Sequence, residues 1–107
     1  MRRGELYRVR RPTDDPKRSR IYVIVSRQAV IDSRYSTVVC APVYTVREGL
    51  ASEVNLGPAQ GLKHDSAVHC DGLVSIPKSR LTDYVATLPH PLLEALDRGL
   101  QVALALE

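Results

Sequence analysis

No window of this 107-residue sequence approaches the roughly 18 uninterrupted apolar residues that a membrane-spanning helix needs. The N-terminus opens on Arg2, Arg3, Glu5 and Arg8, where an export signal would carry an apolar block. Neither a membrane span nor a leader is therefore expected, and the cytoplasm is the expected compartment. Cysteine is scarce: Cys40 and Cys70 are too few for a secreted disulfide scaffold and sit among aliphatic residues, as small buried thiols do. Tryptophan and phenylalanine are absent, so docking into a partner through a Trp- or Phe-bearing tail is not expected. A chain of this length, 44% hydrophobic, supports a single domain, residues 1–107, with its own core.

What is present is unevenly distributed charge. Residues 1 to 20 hold eight Lys/Arg against three carboxylates, a net +5, which leaves −2 for the remainder. Such a segment is either a solvated charge run on a loop or an electrostatic footprint for a polyanion.

The strand signals come early. Glu5, Tyr7 and Val9 alternate with Arg8 and Arg10, predicting a short strand with one wet face. "RRPTDDPKRS" has the Pro, Asp and Ser chemistry of an exposed loop. "IYVIVS", residues 21 to 26, reads as a strand buried on both faces. "YSTVVCAPVYT" predicts another, with Pro42 marking a bulge or an edge near its end. After the connector "VREGLA", "SEVNL" alternates as a strand, and "SAVHC" and "LVSIP" flank a turn or bulge at Asp71-Gly72. Leu92, Leu93, Leu96, Leu100, Ala103 and Leu104 fall at three- and four-residue spacings, predicting an amphipathic helix with Pro91 in its first turn. Gly99 inside it costs roughly 1 kcal/mol relative to alanine, so close packing on the sheet is the expected compensation. The expected class is α+β, mainly β: a small, strongly bent barrel of five to seven short strands with a C-terminal helix.

The stretch "KHDSAVHCDGLV" concentrates His64, Asp65, Ser66, His69, Cys70 and Asp71. A zinc site is not expected, because the spacing of His64 and His69 matches no ligand pattern and no third ligand is evident. A Ser66 nucleophile lacks the glycine-flanked elbow that exposes a catalytic serine. Asp65 and Ser66 instead suit a strand entry, bonding nearby backbone. A pair of imidazoles acting as acid and base on RNA stays open.

The order of the pieces carries more information than any one of them. "RRGELYRV", then Arg20 leading "RIYVIVS", then "VVCAPVYT", then Gly61-Leu62, Asp65-Ser66, Lys78 and Arg80-Leu81, then a Leu-rich helix together resemble the MazF/PemK family of toxin endoribonucleases over nearly the whole chain. The resemblance implies an SH3-like or CcdB-like barrel that forms a homodimer. It implies a ribonuclease, without metal or cofactor, that cuts single-stranded RNA through the substrate's own 2′-hydroxyl. The products would be a cyclic phosphate and a 5′-hydroxyl, and a cognate antitoxin would silence the enzyme.

The same resemblance places an arginine ahead of the second strand, which is Arg20, at the phosphate; the family usually continues with proline, where this chain has Ile21. It also places a threonine at the end of the third strand. Counting from Pro42 puts Tyr44 there, with Thr45 one residue later. A one-residue shift on a strand reverses the face, so both stay candidates: a bulge at Pro42 would turn Thr45 into the groove, and without one Tyr44 would carry the hydroxyl. RNA contacts are expected from Arg11, Lys17 and Arg18 in the basic loop, from Ser26, Arg27 and Gln28 after the second strand, and from His64, Asp65 and Ser66 beside the groove. A catalytically degenerate relative that only binds RNA or antitoxin is the alternative, and a gyrase-directed toxin a more distant one, since such relatives depend on an apolar or aromatic tail.

Overall fold

The computed structural model describes residues 1–10 and 19–106. Seven strands run β1 (Glu5–Arg10), β2 (Ser19–Ile24), β3 (Thr37–Tyr44), β4 (Glu53–Leu56), β5 (Ser66–His69), β6 (Val74–Pro77) and β7 (Asp83–Thr87). A one-turn helix α1 (Gln28–Ile31) follows β2, and helix α2 (His90–Ala103) follows β7. All pairings are antiparallel, in the order β4-β5-β3-β2-β1-β7, with β6 also on β3. This is the mainly-β, barrel-like architecture with a C-terminal helix that the sequence predicts.

Both faces of the sheet are buried, because period-two alternation delivers apolar side chains to each side. Leu6, Val23, Ala41, Val43, Val68 and Leu96 share one cluster, sealed by α2; Tyr7, Val9, Ile24, Val38, Cys40 and Ile76 share another. The run from Ile21 is thus buried on both faces at Val23 and Ile24, while Ile21 and Tyr22 are only half-buried. Leu104 departs from the helical expectation: it follows the last turn of α2 and is 51% exposed.

Pro42 produces no bulge. The ladder between β2 and β3 runs without a shift through Ile21↔Val43, Tyr22↔Pro42 and Val23↔Ala41. Proline cannot donate to a ladder, and the opposite edge of β3 accommodates that. There, β6 pairs with Thr37 to Cys40 and β5 with Val43 and Tyr44, leaving Ala41 and Pro42 between them. The 3-10 turn Cys70–Gly72 crosses this gap, with Gly72 so near that an added Cβ would stand 3.3 Å from Pro42 Cγ. Asp71-Gly72 therefore carries the chain along one edge of β3; it does not close a hairpin. Asp71 accepts a hydrogen bond from the Ser52 hydroxyl.

Gly99 meets the packing requirement read from its position. A Cβ there would lie 2.9 Å from the Ser52 carbonyl oxygen and 3.0 Å from Cys70 Sγ. Gly→Ala in an open helix stabilises by about 1 kcal/mol. Gly99→Ala should do the reverse and destabilise by about 1–3 kcal/mol through overpacking; the urea midpoint will read the sign.

Burial pushes the Cys40 thiol up to about 12, and burial together with the Asp71 charge pushes Cys70 to about 11. Both thiols should resist a thiolate-trapping reagent in the native protein and react once it unfolds. In the unfolded chain these thiols release protons near pH 9, where the folded state keeps them. Their contribution to stability is whole below pH 9 and is lost as pH rises toward 11–12. The denaturation midpoint at pH 10.5 should fall below that at pH 8.

Candidate functional site

Arg20 stands at the start of β2 and Tyr44 at the end of β3. Because the register pairs Ile21 with Val43, the next step places Arg20 opposite Tyr44 on one face. Arg20 Nη1 donates to Tyr44 Oη at 3.0 Å, and its guanidinium carbon lies 4.5 Å from the tyrosine ring centroid. The ring face and hydroxyl hold the planar fork in place, an arrangement that arginine supports and lysine does not.

The pair lines a cleft of about 490 Å³. Arg8 of β1, Ser19 of β2, Thr45 beyond the end of β3, Lys63 and His64 of the segment before β5, and Ser66 at the start of β5 add to its polar wall; Ile21, Val43 and Leu62 supply apolar floor. Among the described residues no carboxylate lines this cleft, against the three basic side chains Arg8, Arg20 and Lys63. Arg8 also lies 3.9 Å from Asp83, outside the cleft. A concave surface with that balance attracts a phosphodiester.

The stretch from Lys63 onward divides by role. His64 is exposed and faces the cleft. Ser66 is buried and donates its hydroxyl to the His64 carbonyl at 3.0 Å, so the Oγ works for the turn. Asp65 Oδ1 lies 2.9 Å from where a Gly57 Cβ would be, which places the carboxylate against the preceding loop and outside the cleft lining. His69 packs against Tyr44 in a T-shaped contact, ring centroids 4.8 Å apart, with Nε2 2.9 Å from the Val46 carbonyl oxygen. Among the described residues no three His, Cys, Asp or Glu side chains are grouped to hold a metal ion.

Tyr44 and Thr45 both reach the cleft, and the unshifted ladder gives Tyr44 the face of Arg20. Three other candidates do not come near. Ser26, Arg27 and Gln28 lie past the far end of β2, roughly 20 Å from Arg20 at the usual strand rise. Ser26 Oγ accepts the Val39 amide hydrogen at 2.7 Å, and Gln28 bonds Arg3 N, the Met1 carbonyl and Asp32. Arg27 is exposed just before α1. Those three positions serve the local fold. Arg11, Lys17 and Arg18 lie outside the described residues. Sequence reasoning missed Arg8 and Lys63; the wet face of β1 was the available signal for Arg8.

No helix among the described residues is long and apolar enough to cross a membrane. A comparison with curated protein sequences gives no match. Among solved structures, an endoribonuclease in complex with its cognate antitoxin from Mycobacterial species superposes with a TM-score of 0.83 at 25% identity, covering 100% of this chain and 97% of that one. The Mycobacterium tuberculosis toxin MazF-mt6 gives 0.82 at 26% identity, over 96% and 98%. A MazE-MazF structure from Deinococcus radiodurans gives 0.78 at 21% identity over 98% and 96%, a likeness of fold. The family model of the PemK-like, MazF-like toxin of type II toxin-antitoxin systems matches residues 2–104. With that match over nearly its full length, the chain belongs to the PemK-like, MazF-like toxin family, whose members are generally endoribonucleases.

Proposed function

We propose that this protein, acting through residues 1–107 as one toxin domain in the cytoplasm, cleaves single-stranded RNA without a metal ion. The observation that carries the reading is the cleft built around the Arg20–Tyr44 pair, lined by Arg8, Arg20 and Lys63 and, among the described residues, by no carboxylate. Cleavage proceeds by attack of the substrate's 2′-oxygen on the adjacent phosphorus. The P–O5′ bond breaks, the 2′-hydroxyl proton leaves, and the departing 5′-oxygen gains one, giving a cyclic phosphate and a 5′-hydroxyl. Negative charge on the phosphoryl oxygens rises in the transition state, and Arg20, fixed in advance by Tyr44, meets it with no reorganisation. Arg8 and Lys63 hold the flanking backbone. The hydroxyls of Tyr44 and Thr45 donate to the phosphate oxygens. His64, an imidazole at the cleft wall, is the side chain suited to moving the proton.

The chain acts as a homodimer, and a cognate antitoxin silences it by laying an acidic or apolar segment in the same cleft. Purified protein should cut a long RNA in EDTA, and end mapping should find 5′-hydroxyls in a fixed sequence context. Products with 5′-phosphates, or no cutting at all, would overturn the reading. Tyr44, where the family's threonine is expected, favours a second reading: a relative that retains the cleft and binds RNA without cutting it. Salt-sensitive binding with no product would identify it.

A further inference from the structure

Behind Tyr44 lies a set of contacts that the proposed chemistry does not use. Glu53 opens β4, its side chain only 4% exposed. A carboxylate so deeply placed requires donors, and among the described residues its backbone donors come from one short segment. Glu48 N donates to Oε1 and Oε2 at 3.1 and 3.0 Å, and Gly49 N donates to Oε1 at 3.1 Å.

His69, the cross-strand partner of Glu53 on β5, grips the same segment from the other side. A carbonyl oxygen only accepts, so the 2.9 Å contact fixes Nε2 as the protonated nitrogen donating to Val46 O. Nδ1 then faces Glu53 Oε2 at 3.8 Å. The same imidazole meets the Tyr44 ring in a T-shaped contact at an interplanar angle of 83°.

The connector between β3 and β4 begins at Thr45, the residue that shares the cleft with Tyr44. Two neighbouring side chains therefore hold both the tyrosine ring and the backbone that leads out of Thr45. We propose that Glu53 and His69 are positioning residues: they latch the connector and the Tyr44 ring, and so set where the Tyr44 and Thr45 hydroxyls stand against a bound phosphodiester. This rests on the assignment of the Arg20–Tyr44 cleft to RNA cleavage.

The side chains of a simple strand cap would leave the cleft untouched, which separates that role from the latch. The test compares the full-length chain with Glu53→Ala, Glu53→Gln and His69→Phe, using a short fluorescent single-stranded RNA that the wild type cuts and amide NMR on each variant. Glu53→Ala should speed hydrogen exchange at Glu48 and Gly49 and move the Thr45 amide resonance. It should lower kcat about ten- to a hundredfold, the scale of a displacement near 1 Å, with KM changed by less than about threefold. Glu53→Gln keeps an Oε1 acceptor for both amides and should recover most of kcat. His69→Phe keeps a ring against Tyr44 and loses the Val46 bond; it should behave like Glu53→Ala, and it decides the question if Glu53→Ala does not fold. An unmoved Thr45 amide, or freed connector amides with unchanged kcat, would overturn the proposal. If the wild type cuts no RNA, the nuclease reading fails by itself and the Thr45 amide still decides whether the latch exists.

Discussion

Arg20→Ala should lower the rate of RNA cleavage by about 10²–10³-fold, the usual cost of removing one preorganised donor to a developing oxyanion. Stability should change by less than about 1 kcal/mol, because the half-buried guanidinium bonds a hydroxyl that faces an open cleft and water can replace it. Arg20→Lys should recover little, since an ammonium cannot stack on the Tyr44 ring and present a planar fork together. Tyr44→Phe and Thr45→Val then separate the two hydroxyls. Tyr44→Phe retains the ring beneath the guanidinium and removes only the oxygen. The larger fall in kcat identifies the hydroxyl that contributes more at the phosphate. Cleavage by Arg20→Ala at the wild-type rate would remove the catalytic assignment.

Leu96→Ala should produce the largest loss of stability. Leu96 is 0% exposed at the centre of the face of α2 that closes the sheet, in one cluster with Leu6, Val23, Val68 and Leu88. Truncation removes buried methyl groups and leaves a cavity that strands on a curved sheet close poorly, for a cost of about 2–5 kcal/mol. Against a total stability of about 5–15 kcal/mol, that should bring the urea midpoint down steeply with an unchanged slope. A loss below about 1 kcal/mol would mean that α2 is only loosely docked.

The parts of the fold that follow local rules were legible. Leucine spacing and Pro91 located α2, and the cost of Gly99 inside a helix pointed to a contact that exists with Ser52 and Cys70. β7 was not read as a strand, because Asp83 and Thr87 leave only Tyr84, Val85 and Ala86 between them, too short a run to show alternation; pairing with β1 makes it one. The doubt between Tyr44 and Thr45 also turned on something non-local. A proline in a strand leaves open whether the ladder slips, and only the turn that crosses at Gly72 lets Pro42 remain in register. The same limit hid the connector contacts, since Glu53 and His69 are sixteen residues apart in sequence and meet only as β4 pairs with β5. The serial order of family motifs located Arg20; its partner needed the sheet.

The pairing of β1 with β7 brings Glu5 beside Thr87, and Leu88 N donates to the Gly4 carbonyl at 3.0 Å. The first strand thus waits for one of the last elements to be made. A chain emerging from a ribosome holds Arg8 and Arg20 early, yet the outer edge of β1 remains bare until Thr87 has cleared the exit tunnel. Non-local closure of this kind slows folding, so newly synthesised copies pass through an interval with an open sheet edge, exposed to proteases and to mispairing.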